Sequence, residues 1–510
     1  MGLEPPVYAF AFFVIVLLLS RLTRANQKYL PGPPGLPLVG NTFQVPPHQQ
    51  WVYFKSLSDK FGPIVRLVVG TDDVVVINRG AEADELLGKR SAIYSDRPIS
   101  IYAGKYQSQN RRIGLLKYGT ELKRQRTAFH GMLQPRVVGA YEVYQDQASL
   151  KLLSDMLTHP DQPFLNAQRF SASLIYRLTY GLQLEDGSKD LEDVLKVIDD
   201  FVAEVAPGRH LVDGWPFLDW FPDFLAPWRR DALRTHENEF KLYGRLVREV
   251  KQRMESGDSH ECFISRLWEQ QHKLDLDEMA IAYLGGSSFE AGTGTTSDSL
   301  LWLFAATLLY PEPVKAAQRE LDSIVGDDHI PGFDDFKALP YSVALTREVF
   351  RWAPLVPTCL PHALEKDDVY QGYLIKGGST VIPNVWGMHH DEETFPRHHV
   401  FDPTRYLTEG VPTFELLSEG HWLFGFGRRL CPGRHLGAKS VWIALTRLIW
   451  AYDILPVFDE AGQPILPDLT KCTTGITCKP DEFPVRIVPR SEKRVEMITS
   501  AFDDSLAKDR

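Results

Sequence analysis

One cysteine in this chain sits in a frame that few folds can build. The segment reads Phe424-Gly425-Phe426-Gly427-Arg428-Arg429-Leu430-Cys431-Pro432-Gly433. Two glycines before Cys431 and one just after it permit a tight, unusual loop. A helical pattern begins directly after the cysteine, with Pro432 suited to its first turn. The free N–H groups of that turn can point at the sulfur and favour a thiolate. A single thiolate with backbone support suits the axial ligand of a haem iron, whereas zinc takes four protein ligands in a structural site. Arg429 is placed to meet an anion such as a haem propionate. The competing reading is a buried structural cysteine in a Gly-rich turn. Phe424, Gly427, Arg429, Cys431 and Gly433 taken together favour the metal ligand.

Composition narrows the remaining choices. The 510 residues are 44% hydrophobic and 24% charged, close to the globular average. A net charge of −10 speaks against a nucleic-acid partner, whose phosphates need clustered Lys and Arg. The five cysteines are irregularly spaced and include no CxxC pair, so neither a disulfide framework nor a structural zinc site is expected. Val7 to Leu19 is nearly all apolar and is followed by Arg21, Arg24 and Lys28. Residues 1–24 therefore read as a membrane anchor with the body on the cytosolic side. A cleaved signal peptide is the alternative, but Glu4 stands where a positive leading segment is required. Residues 25–45, with Leu30-Pro31-Gly32-Pro33-Pro34-Gly35-Leu36-Pro37, read as a semi-rigid hinge.

Residues 46–490 show no repeat and no dividing linker. Ile64–Gly70 and Asp73–Asn78 pattern as two strands around a turn. Helical periodicity then dominates to Leu308. Asp277 to Tyr310 is the longest expected helix, stopped by Pro311. Helices follow over Pro313–Val325 and Tyr341–Trp352, short strands over Val369–Ile382, and a final helix over Pro432–Ala451. The fold class is mostly α with small β-sheets in one large domain. Residues 491–510 are charged and read as a loose tail.

The cysteine segment resembles the FxxGxRxCxG haem signature of the cytochrome P-450 haem-thiolate monooxygenases, and the likeness runs from the Pro-rich segment to about Pro489. It is most similar to the fungal branch that oxidises secondary metabolites. The resemblance implies the cytochrome P-450 fold, haem b as cofactor and Cys431 as iron ligand, with Phe424, Arg429 and Gly433 framing the haem. Glu348 and Arg351 resemble the family's ExxR pair, and spacing of three puts them on one helix face. Arg405, in Phe401-Asp402-Pro403-Thr404-Arg405-Tyr406, is similar to the arginine that completes a structural Glu–Arg–Arg cluster. Near Tyr94-Ser95-Asp96-Arg97-Pro98 and Tyr118-Gly119, the family usually has WxxxR; here Leu122 replaces the Trp and Arg126 is kept. Arg126 and His362 are then the expected propionate partners.

Phe289-Glu290-Ala291-Gly292-Thr293-Gly294-Thr295-Thr296 resembles the family's oxygen-activating AGx(D/E)T segment, with Thr295 retained and Gly294 in place of the acid. Proton delivery is thereby expected to depart from pattern, with Glu290 or Asp298 as substitute sources through water. Substrate contacts implied by the resemblance are Leu115, Leu116, Phe289, Val356, Cys359 and Ile476, an apolar set suited to a terpenoid, polyketide or alkaloid precursor. The expected activity is monooxygenation with O2 and with electrons from NADPH through NADPH-cytochrome P-450 reductase, at the endoplasmic reticulum membrane. No nucleotide-binding GxGxxG follows a strand, so the flavins are expected on another chain. A non-catalytic haem-thiolate sensor, and an isomerase or peroxide-shunt enzyme on the same fold, are the alternatives.

Overall fold

Two Val- and Ile-rich segments pair as an antiparallel hairpin, β1 (Ile64–Val69) and β2 (Asp72–Ile77). This computed structural model describes residues 28–508, apart from 38, 186, 207, 259, 408–415, 418–420 and 474. The expected membrane anchor lies outside the described residues. Among the described residues, no helix is long and apolar enough to cross a membrane. Four short strands follow much later: β3 (His362–Ala363), β4 (Asp368–Tyr370), β5 (Tyr373–Ile375) and β6 (Thr380–Pro383). β6 adds parallel to β2 and antiparallel to β3, giving the order β1-β2-β6-β3, while β4 and β5 pair separately. β7 (Tyr452–Phe458), β8 (Pro464–Ile465) and β9 (Val485–Pro489) form a third sheet.

The Pro-rich segment is tied down where it is described. Arg66 N donates to Pro31 O at 2.9 Å and Leu374 N to Lys28 O at 2.8 Å. From Lys28 onward the segment therefore runs along the sheets instead of swinging free of them.

The helices that build the body are α1 (Gln50–Phe61), α2 (Thr120–Leu133), α3 (Glu142–Thr158), α4 (Pro163–Tyr180), α5 (Lys189–Glu204) and α6 (Pro227–Glu255). They continue with α7 (Glu278–Leu309), α8 (Pro311–Ile324), α9 (Pro340–Trp352), α10 (Arg434–Ala451) and α11 (Glu492–Lys508). α7 is the axle. Asp277 caps it by accepting from Ala280 N at 2.6 Å, and Pro311 ends it because proline cannot continue the hydrogen-bond ladder. Its apolar residues point all round, as expected of a helix buried on every side, and it packs along α4, α6 and α10. Trp302, Phe304, Trp442 and Trp450 are buried in the main core around it.

Two expected boundaries move. α10 begins at Arg434 and not at Pro432, because Gly437 N to Gly433 O (2.8 Å) closes its first turn. Pro432 stays in the cysteine loop. The segment read as a loose tail forms α11. Ile498 is 1% exposed and belongs to the main core. Arg494 donates to Asp327 at 2.6 Å and to Trp450 O at 2.6 Å. Ile498 and the neighbouring Met497 dock the helix on the main core among its charged residues. Ile498→Ala is expected to cost about 2–5 kcal/mol of stability, read as a lower midpoint in thermal or denaturant unfolding. A protein ended at Ser491 that unfolds like the full chain would restore the loose-tail reading.

Candidate active site

The cysteine loop is held from three directions. Cys431 N donates to Phe424 O at 2.8 Å, which draws the two ends of the loop together. Gly427 has φ +48°, and a Cβ there would lie 2.2 Å from Leu87 O, so any side chain would push the loop off the preceding segment. Phe424 packs edge-on against Phe350 of α9, with ring centroids 6.0 Å apart. Burial pushes the Cys431 thiol up, while the N–H of Gly433, the guanidinium charges of Arg126 and Arg434 and the N–H of Arg434 pull it back toward the thiolate. The sulfur-bearing residue lines a cavity of about 370 Å³.

α9 is fixed by an ion cluster with no exposed side-chain surface on Glu348 or Arg351. Arg351 grips Glu348 with two parallel bonds of 2.7 and 2.8 Å. Arg405 Nε donates to Glu348 Oε1 at 3.2 Å and Asp402 N to the same oxygen at 2.8 Å. Arg351 also donates to His389 O at 2.9 Å. The expected Glu–Arg–Arg cluster is therefore present, and it is remote from the chemistry: it locks α9 to the chain that leads into the cysteine loop.

Three guanidiniums converge on the cavity wall near Cys431. Arg97 donates to Gly114 O (2.9 Å), Leu360 O (2.6 Å) and Pro361 O (2.6 Å). Arg429 donates to Ser95 O (2.7 Å) and Leu116 O (2.6 Å), and Arg126 to Leu430 O (3.0 Å). All three line the cavity. Burial first, then the neighbouring Arg429, pulls Arg97 down to about 9. Arg429 falls to about 10 through burial, with Arg126 adding to the fall. Carbonyls satisfy the hydrogen bonds of these groups but not their charge. A set of buried cations pressed together beside one cysteine fits a dianionic prosthetic group bound through sulfur, which is what haem b is. Arg97 was overlooked as a site residue in the sequence, although its segment was singled out.

The other expected haem contacts divide. Phe424 and Gly433 line the cavity, and so does Leu122, which offers an apolar surface where an indole donor would stand. His362 also lines it, but burial and Arg97 push its imidazole down to about 3, so it is neutral. Its Nδ1 lies 2.7 Å from Tyr94 O, which assigns a proton to Nδ1. With Nδ1 held by Tyr94, Nε2 is the ring nitrogen left to meet an anion in the cavity.

α7 crosses the cavity with Ala291, Gly292, Thr295 and Thr296 on the wall. The Thr295 hydroxyl donates to Ala291 O at 2.7 Å. Gly294 is off the wall: a Cβ there would meet Ile198 of α5 at 3.4 Å. Glu290 lines the cavity, but it is not a free acid. Arg112 and Tyr243 both bond to its carboxylate, and burial holds its pKa up at about 7. Of the expected substrate contacts, Leu115, Val356 and Cys359 line the cavity. Leu116, Phe289 and Ile476 are not among its lining residues. Phe289 follows from helix phase: one residue before Glu290 it points elsewhere, packing on Tyr176 and Tyr180 with centroids at 5.3 and 5.9 Å. Leu116 contributes its carbonyl to Arg429 instead. Ile476 sits at a hairpin tip whose Gly475 presses on Val202 of α5.

Comparison with known proteins agrees with this geometry. The sequence model of the family described as Cytochrome P450 matches residues 30–484. Cytochrome P450 monooxygenase fogE of Aspergillus ruber is 34% identical over 96% of this chain and 93% of its own length. Cytochrome P450 monooxygenase ARMGADRAFT_1018420 of Armillaria gallica is 33% identical over 96% and 95%. Cytochrome P450 monooxygenase virE of Hypocrea virens is 31% identical over 98% and 93%.

Two variants test the assembly of the site. Cys431→Ala is expected to abolish the thiolate-type carbon monoxide absorption band, while Cys359→Ala and Cys472→Ala keep it. Arg97→Leu is expected to lower the haem retained through purification, measured against protein by pyridine haemochromogen. Full haem content in Arg97→Leu would show that this residue only packs.

Proposed function

Because the chain belongs to the cytochrome P450 family, we propose that this haem-binding monooxygenase oxidises an apolar small molecule in a fungal secondary-metabolite pathway, using O2 and electrons passed from NADPH by a separate reductase. The observation that carries this reading is the Cys431 side chain facing a largely apolar cavity with Arg97, Arg126 and Arg429 on its wall. Haem, when bound, supplies the electron and oxygen-transfer chemistry. The chain supplies the rest. Cys431 would hold the iron as a thiolate, and Arg97, Arg126 and Arg429 would pair with the carboxylates of the ring. Leu115, Val356 and Ala291 exclude water and position the substrate. The Thr295 hydroxyl, now bonded to Ala291 O, can turn to hold a water at the wall.

Proton supply needs another source than residue 294. Glycine carries no side-chain proton to relay. Glu290 is committed to Arg112 and Tyr243. Asp298 is the better candidate. It lies three residues after Thr295, adjacent on the helix surface. It is 5% exposed, and burial pushes it up to about 7, near the value suited to exchanging protons at neutral pH. Lys479 and Asp199, 3.5 Å apart, lie within its electrostatic reach, and the 69% exposed Asp199 opens onto solvent. Gly294 also favours a second reading, peroxide-driven turnover; product formation from peroxide without NADPH distinguishes it.

Membrane attachment is part of the proposal. It rests on the apolar run Val7–Leu19 and on the segment between α5 and α6, where Trp220 is 86% and Phe224 79% exposed beside Phe217 and Leu225. Aromatic rings exposed to that degree suit the interface of a bilayer. The body would then face the cytosol from the endoplasmic reticulum.

In reconstitution with NADPH and reductase, Thr295→Ala and Asp298→Asn are each expected to raise the peroxide released per NADPH oxidised. Loss of general-acid assistance is typically worth ~10²–10⁴ in rate. Unchanged peroxide yield in Asp298→Asn would assign the proton route elsewhere. Deleting residues 2–24 is expected to release part of the protein from microsomes, and adding Trp220→Ser with Phe224→Ser to release most of the remainder. Protease protection of the body inside sealed microsomes would reverse the orientation.

A further inference from the structure

We propose that Arg112, Glu290 and Ser287 form a recognition subsite for an uncharged hydroxyl group, an alcohol or a phenol, on an otherwise apolar substrate. The inference rests on the monooxygenase reading above and names the substrate class that its cavity takes.

The subsite is a second charged cluster in the cavity wall, distinct from the three guanidiniums beside Cys431. Arg112, Glu290 and Ser287 all line the cavity, together with Phe201. Arg112 is 3% exposed, Glu290 8% and Ser287 8%. Arg112 pairs with Glu290 through Nη1, and its Nη2 lies 2.8 Å from Glu239 Oε1. Glu290 also accepts from the Tyr243 hydroxyl. Glu239 accepts from Gln107 Nε2 at 2.6 Å and from the Tyr283 hydroxyl at 3.1 Å. The Phe201 ring covers the guanidinium, with its centroid 3.9 Å from the central carbon. Such a cluster is over-determined on the protein side and incomplete on the cavity side. The Nε group of Arg112 and the hydroxyl of Ser287 have no hydrogen-bond partner among the described residues. Buried polar groups ordinarily find partners, so unpaired ones in a cavity wall mark where a ligand atom completes the network.

Charge selects the ligand group. Two carboxylates surround one guanidinium, so the cluster has no positive charge to spare for a carboxylate ligand. An ammonium would lie against the Arg112 guanidinium, and it would be stripped of water in a cavity otherwise lined here by Ile113, Leu115, Ile175 and Leu360. A hydroxyl meets neither objection. It accepts from Arg112 or Ser287 and donates to a Glu290 oxygen, which keeps a second lone pair for it.

Helix geometry then sets where such a substrate is oxidised. Ser287 and Glu290 are three residues apart on one face of α7, and Thr295 follows Glu290 by five residues. At the rise of an α-helix that is about 7.5 Å along the axis. The substrate therefore presents to the Thr295 end a carbon several bonds removed from its hydroxyl.

Binding to the purified haem-loaded protein tests the proposal, read from the Soret shift on titration with C12 probes: 1-dodecanol, methyl dodecyl ether and dodecanoate. 1-Dodecanol is expected to bind about tenfold more tightly than the ether, which can accept but not donate, as one hydrogen bond to a charged group implies. Glu290→Leu, which leaves Arg112 paired one-to-one with Glu239, is expected to erase most of that preference. Ser287→Ala, which leaves the ion cluster intact, is expected to weaken it. Equal affinity for alcohol and ether in the unaltered protein would overturn the proposal. So would tightest binding of dodecanoate at neutral pH, or a preference that survives both variants. Silence of the whole series, with a normal carbon monoxide band, would instead overturn the apolar-substrate reading beneath it.

Discussion

Three guanidiniums beside one cysteine, Arg97 and Arg429 buried and Arg126 half-buried, set the terms for the rest of the structure. Taking a charged group out of water costs on the order of several kcal/mol per ion, and carbonyl partners offset only the hydrogen-bonding part. Burial pulls all three down; Arg429 and Arg126 add to the fall of Arg97, Arg126 adds to that of Arg429, and Arg434 adds to that of Arg126, so burial and like charge together carry an electrostatic cost. The surrounding architecture has to hold them in place against it. Arg97 does so by reaching across to Leu360 and Pro361 on the strand-bearing segment, and Arg429 by reaching to Ser95 and Leu116. The same bonds that position the cations thus stitch the N-terminal region to the cysteine loop. A dianion bound there relieves the repulsion, so cofactor binding and folding of this region are linked.

The buried Glu348–Arg351–Arg405 cluster does the complementary work on the other side of the loop. Its carboxylate is gripped by both guanidiniums at ordinary hydrogen-bond lengths, so each cation has an anion beside it where those of the guanidinium set do not. Phe350 on the same helix touches Phe424 at the start of the loop. One cluster is therefore a fixed anvil, and the other is a charged seat completed by what it binds.

How much of this was legible in the sequence depends on how local the signal is. The loop from Phe424 to Gly433 is contiguous, and its chemistry could be read without a fold. Glu348 and Arg351 are three apart on a helix, so their pairing followed from periodicity, and Arg405 came with a second local motif. Pairings across the chain were not legible. Arg112 and Glu290 are 178 positions apart, and nothing local to either announces the other; Glu290 therefore read as a spare acid when it is half of an ion pair. Helix phase misled at Phe289, where one residue of rotation separates the cavity from the aromatic core. In α11 charged residues dominate the segment, and the few apolar ones that dock it, Met497 and Ile498, make no run of their own. What the Pro-rich segment lies against is a property of the sheets and not of its own residues.

α7 explains why these parts can act together. It is a rigid rod on which Ser287, Glu290, Thr295 and Asp298 occur in order. Glu290 to Thr295 spans about 7.5 Å, and Thr295 to Asp298 about 4.5 Å. In the proposed reading, substrate recognition, water control and proton entry are therefore laid out at fixed spacing along one element, so none can shift without the others. Such a layout needs small residues wherever a neighbour crosses closely, and Gly286 and Gly292 stand where Tyr243 and Ile175 press in. At Gly294 the contact is looser: a Cβ would meet Ile198 of α5 only at 3.4 Å, ordinary van der Waals range, so packing alone does not require glycine there. α5 also brings Phe201 over Arg112 and Asp199 beside Lys479. One helix thus lies against both the polar anchor proposed for the substrate and the ion pair through which the proposed proton route would reach solvent.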